Sequence, residues 1–173
     1  MKSWIELALP GAAAYASSLV GDRAQGEDIV QDCVCRLLGN AARYDLPRDG
    51  RKLLFRAITN ASINHHTRGH KTVSLDRHGR QSDSGAWSVV DAHSPQPPSL
   101  AMAEELRRAI ADGLQTLPLR QRSALELSSL GYEPHEIGEM LGVKYERVRV
   151  ILFRARKTMA GFLNARFSGG VAP

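Results

Sequence analysis

The chain is poor in what most enzymes and secreted proteins are built from. It has only two cysteines, Cys33 and Cys35. Two residues apart, they are badly placed for a disulfide within one helix and too few for a zinc site. Cys33 reads as a small core side chain, and Cys35 points to another helical face. Aromatic residues are scarce at 6%, so any core must pack mainly through aliphatic groups. No apolar run approaches the ~20 residues that span a bilayer. The start, Met1-Lys2-Ser3 and then Trp4 to Leu9, lacks the long apolar stretch before a cleavage site that an export signal needs, so a cytoplasmic protein is expected. A glycine-rich phosphate loop, a serine elbow and paired catalytic carboxylates are all missing. No enzyme activity, catalytic residue, cofactor or metal is expected. His66 and His70 lie one helical turn apart, but Gly69 interrupts the helix between them and no third ligand is near.

What is present is helix-forming and basic. Ala, Leu, Arg and Glu are common, which favours helices. A hydrophobic content of 43% is that of a folded protein and argues against disorder throughout. The net charge of +5 suits an anionic partner, nucleic acid or a membrane surface.

Two helix-rich blocks flank a different stretch. Residues 69–98 are rich in Ser, Gly, Asp, His, Arg and Pro and close on Ser94-Pro95-Gln96-Pro97-Pro98. Such a segment resists helix and buries little, so it reads as a flexible linker. A structureless run of that length would be unusual inside one compact domain. The expected fold is all-α: two small helical domains, 1–68 and 99–166, then a short tail, 167–173.

In the first block, Gly21 ends a helix and Asp22 caps the next. Ile29, Val30, Cys33, Val34 and Leu37 give that helix one apolar face. Pro10-Gly11 should break or kink any helix starting at Ser3. Pro47, Asp49 and Gly50 read as a loop before a third helix over 51–68, whose polar side carries Arg56, Asn60, Asn64 and Arg68. In the second block, helices are expected from Ser99 and from Pro118 to Leu130, where Gly131 stops the latter.

Residues 133–159 have the pattern of a helix-turn-helix. Ile137, Met140 and Leu141 line the first helix, Gly142 supplies the turn, and Val143 plugs the angle between the helices. Val148, Ile151, Leu152, Ala155 and Met159 then share one face of the second helix. Glu146, Val150, Phe153 and Lys157 fall on the far side, flanked by Arg149 and Arg154. Lys144 to Lys157 carry six basic residues and one acid, as a recognition helix in a major groove requires. Asn60, Asn64, His65 and Arg68 form a second polar face that could hold nucleic acid, although a solvated face explains them equally.

Together these residues resemble an extracytoplasmic-function sigma factor of the sigma-70 family. Gly21-Asp22-Arg23-Ala24 with Glu27-Asp28-Ile29-Val30-Gln31-Asp32 is similar to the stretch that docks on the polymerase clamp. Leu53-Leu54-Phe55-Arg56 with Asn60, Asn64 and Arg68 is similar to the helix that reads the −10 promoter element. Leu117-Pro118, Arg120-Gln121-Arg122, Glu136-Ile137-Gly138, Leu141-Gly142-Val143 and Arg154-Ala155-Arg156 resemble the domain that reads the −35 element.

The resemblance implies that Asp28, Gln31 and Asp32 contact the polymerase clamp helices. It implies that Asn60, Asn64 and Arg68 face the −10 element. Lys144, Tyr145, Glu146, Arg147, Arg149 and Arg154 would face the −35 element. The implied partners are core RNA polymerase, through clamp helices and flap, and promoter DNA, with room for an anti-sigma factor. The chain departs from the pattern at Leu53, where Trp is frequent, and at Asn64, where Asp is usual. Lys144 replaces a Ser or Thr cap, and Val150-Ile151 a Ser-Arg pair.

A free-standing helix-turn-helix regulator that binds DNA as a dimer also explains the second block, but leaves the first without a role. A metal-dependent nucleic-acid enzyme using the histidines is the remaining alternative. The sigma-factor reading requires two separate lobes. A single merged core with Arg149 and its neighbours turned inward would contradict it.

Overall fold

The computed structural model describes residues 3–72 and 97–168, with the side chains of 68–72 and 97–99 outside the description. Seven α-helices form the described chain: α1 Trp4–Val20, α2 Arg23–Gly39, α3 Leu46–Thr72, α4 Pro97–Thr116, α5 Leu119–Ser129, α6 Pro134–Leu141 and α7 Tyr145–Ser168. A short 3-10 turn, Ala41–Arg43, joins α2 to α3. Among the described residues there is no strand. The all-α expectation holds, with α1–α3 and α4–α7 as its two blocks.

Most boundaries follow local chemistry. Gly21 ends α1 in the left-handed region (φ 77°), and the Asp22 carboxylate accepts from the Gln25 N–H at the start of α2. Two expected interruptions are absent. α1 runs through Pro10 without a break. Proline costs about 3 kcal/mol inside a helix. Here a capping box of Ser3 and Glu6 and burial of Ala8, Ala12, Tyr15, Ala16 and Leu19 offset it. Pro47, Asp49 and Gly50 are not a loop but the first turn of α3. Proline and an acid suit that turn, and the Asp45 side chain accepts from the Arg48 N–H. Gly50 is glycine for packing, since a Cβ there would lie 2.7 Å from the Trp4 indole.

α3 also continues past Gly69 to Thr72, and α4 begins at Pro97, so helix takes both ends of the expected linker. The rest of it, 73–96, lies outside the described residues, as does the end of the tail. The ring Nε2 of His66 is 3.0 Å from the Leu19 carbonyl oxygen, which gives this histidine a structural role. Among the described residues no His, Cys, Asp and Glu group could hold a metal ion, and no helix is long and apolar enough to cross a membrane.

The two blocks are not apart. One continuous core joins Leu19, Cys33, Leu54, Phe55 and Ile58 to Ala124, Leu127, Ile137, Met140 and Val148. Three of the scarce aromatics meet at this seam. Phe55 makes tilted ring contacts with Tyr15 (centroids 5.4 Å apart) and with Tyr132 of the other block (5.7 Å). Arg51 lies over the Tyr132 ring at 5.3 Å and donates to the Leu130 carbonyl at 3.2 Å.

Candidate nucleic-acid interface

The helix-turn-helix is α6 and α7. Glu133 and Glu136 make a capping box at the start of α6. Gly142, at φ 64°, turns the chain where other residues would be strained. The Val143 N–H closes the turn on the Gly138 carbonyl at 2.9 Å. Val148, Leu152, Ala155 and Met159 are buried, as their spacing requires; Val148 and Leu152 seat α7 on the shared core, and Ala155 and Met159 seat it on a smaller cluster with Leu117. The opposite face is open. Lys144, Tyr145, Glu146, Arg147, Arg149 and Arg154 are all exposed, so the shared core does not turn this helix inward. Among the described residues no hydrogen bond or ion pair holds the side chain of Arg147, Arg149 or Arg154. Arg156, by contrast, reaches back to the Ser128 hydroxyl at 3.3 Å.

The second polar face sits on α3. Asn60, Asn64 and His65 are exposed, whereas the Arg68 side chain lies outside the described residues. Asn60 and Asn64 border a cleft between α2 and α3, together with Arg36, Asn40, Tyr44 and the floor residue Cys33. Sequence reasoning missed Arg36, Asn40 and Tyr44. The signal was there, because an aromatic just after a helix-ending Gly39-Asn40 has no helical face to bury itself on, and Tyr44 is 44% exposed. An aromatic beside three amides and a guanidinium is suited to unstacked bases.

Asp28, Gln31 and Asp32 lie together on the exposed side of α2. The Asp32 carboxylate makes only a 4.0 Å contact with Arg36, so this acidic face is open to a partner.

The seam carries its own polar cluster. Buried Arg122 donates to the Ser18 carbonyl at 2.7 Å and to both oxygens of Gln115. The Ser18 hydroxyl bonds the Glu126 carboxyl, and the Gln115 amide donates to the Ser18 carbonyl at 3.2 Å. Burial pushes the Glu126 carboxyl up to about 7, against the opposing pulls of Ser18 and Arg122. Burial also lowers the Arg122 guanidinium from its usual range. On the outer edge Lys52 pairs with Glu139 at 2.8 Å.

An outward basic helix on a helix-turn-helix, fused to a second helical block with its own polar and acidic faces, defines a DNA-binding protein with more than one partner. Residues 4–72 match sigma-70 region 2, and residues 107–159 match sigma-70 region 4. The two regions together cover well over half of the chain, and it belongs to the sigma-70 family, with the region 2 and region 4 layout of extracytoplasmic-function sigma factors. As such it binds core RNA polymerase and promoter DNA and directs transcription initiation. The fold is similar to that of a sigma factor from Bartonella quintana, RpoE, solved with its anti-sigma factor NepR. The TM-score is 0.68 at 22% identity, covering 92% of this chain and 94% of that one. No curated protein matches by sequence.

Proposed function

We propose that the sigma factor divides its work among four surfaces. Asp28, Gln31 and Asp32 on α2 engage the polymerase clamp helices. Asn60 and Asn64, with Arg68 and the Tyr44 cleft, take the opened −10 element. Lys144, Tyr145, Glu146, Arg147, Arg149 and Arg154 on α7 hold the −35 element. The apolar stripe Met102, Leu106 and Ile110, exposed along α4, is suited to a second polymerase contact at the flap. The protein works by binding alone, in the cytoplasm with its polymerase, and has no catalytic chemistry of its own. The observation that carries this reading is the outward basic face of α7, held open although α5 and α6 are packed against region 2.

A free-standing dimeric regulator needs neither the acidic α2 face nor the cleft beside α3, and the region 2 match leaves it without support. An anti-sigma protein that binds both blocks is a further proposed partner. The RpoE protein of similar fold was solved with one, and the seam shows that both blocks can be held together. The test is transcription in vitro with purified core polymerase on a library of promoter fragments. Specific initiation only when the chain is added is expected. Elution apart from core polymerase, with no initiation on any fragment, would refute the reading.

A further inference from the structure

The outward side of α7 is not uniformly basic. Val150 is 48% exposed and Phe153 66% exposed, although neither has a packing reason to be apolar. With Arg149 and Glu146 they line a shallow recess on the helix surface. At about 100° per residue, Val150, Phe153 and Glu146 all fall within about 50° of the direction opposite the buried Val148–Leu152–Ala155 face, with Lys157 one turn beyond them on the same side. Arg149 lies to one side of this stripe, and Arg147 and Arg154 to the other.

That arrangement sorts the chemistry. The guanidinium groups of Arg147 and Arg154 suit the phosphates on one wall of a groove, whereas Arg149, which lines the recess, suits a guanine edge. A carboxylate and two apolar side chains between them do not suit phosphate at all. They suit base edges, because a carboxylate accepts from the cytosine amino group and apolar side chains contact the thymine methyl. Val150 and Phe153 are separated by about 4.5 Å along the helix axis, close to the ~3.4 Å step between stacked bases.

We propose that Val150 and Phe153 are specificity-determining residues that read thymine C5-methyl groups in the major groove of the upstream promoter element. The proposal rests on the sigma-factor reading and adds which bases the helix selects. It gives the surface one occupant, DNA, because cations bracket the apolar stripe on both sides, a setting that favours a polyanion over an apolar protein face.

The test uses holoenzyme, the full chain on core polymerase, and promoter duplexes randomised in the upstream element. The bound duplexes should carry thymine at one or two fixed positions. Replacing those thymines by deoxyuridine removes only the methyl. This should weaken binding about fourfold per methyl, the effect of burying one such group. In Val150→Ser and Phe153→His the affinity should no longer depend on that methyl. Both side chains are exposed, so unchanged melting curves will show that the fold is kept. If a fixed upstream element is selected but deoxyuridine changes nothing, the proposal fails and the sigma-factor reading stands. If the variants match the wild type on every duplex, the stripe serves a protein instead, and the proposal also fails. If holoenzyme selects no upstream element at all, the parent reading falls with it.

Discussion

At the scale of single residues, the arginines of α7 are not equivalent. Arg149 borders the recess with Glu146, Val150 and Phe153, whereas Arg154 lies on the opposite flank and two residues beyond the apolar centre of the helix face. Arg149→Ala should change which bases are preferred. Arg154→Ala should weaken binding to all sequences alike and flatten the salt dependence by about one phosphate contact. Salt titrations on two unrelated duplexes distinguish these outcomes. Glu126 gives a pH signature. Its carboxyl is pushed up from the ordinary 4.5 to about 7 by burial, so the protonated form is favoured in the packed structure. The stability it contributes is full at low pH and is lost as pH rises from about 4.5 through about 7. Between pH 6 and 8 the wild type should lose on the order of 1 kcal/mol, or about 2–4 °C of melting temperature. Glu126→Gln should be flat over that window, measured by thermal unfolding.

At the scale of elements, the helix-turn-helix depends on one close approach. A Cβ on Gly138 would meet the Val143 carbonyl oxygen at 2.8 Å, and backbone cannot yield as a side-chain tip would. Gly138→Ala should therefore splay α6 from α7, lower the melting temperature and reduce DNA affinity at least tenfold, while association with core polymerase through the proposed α2 face is kept. Band-shift and pull-down measurements on the same variant check both halves of that statement. This motif was largely legible in the sequence. Gly142, Val148 and Leu152 sit at spacings that only one arrangement satisfies, and Gly21-Asp22 is a stop and a start written side by side. Pro10 and Pro47 misled because proline reports local strain, whereas burial of Ala12 and Tyr15, or capping by Asp45, decides the outcome from outside the window. The cleft at Tyr44 needed two helices to be placed against each other first. The seam was illegible for a related reason. Ser18, Gln115, Arg122 and Glu126 are polar and look solvated one by one, and contacts across about a hundred residues leave no periodic trace.

At the scale of the molecule, the packed form and the promoter differ in size. A chain of this length folded into one body is about 40 Å across. The two promoter elements are about two turns of DNA, or roughly 70 Å, apart. One packed body cannot seat on both, so on the proposed division of surfaces the blocks should separate when the polymerase is engaged. Fluorophores on the exposed positions Cys35 and Lys157 should show energy transfer in the free chain and lose most of it on addition of core enzyme. Transfer unchanged by core enzyme would contradict this.

The seam between Ser18 and Glu126 therefore does more than close a fold. A partner that binds only the opened molecule sees only the opened fraction, and its apparent affinity is scaled by that fraction. Substitutions that loosen the seam should make the isolated chain melt earlier and yet associate with polymerase more readily. Those two readouts ought to move in opposite directions across any series of seam variants, which makes the free protein's durability a brake on its own recruitment.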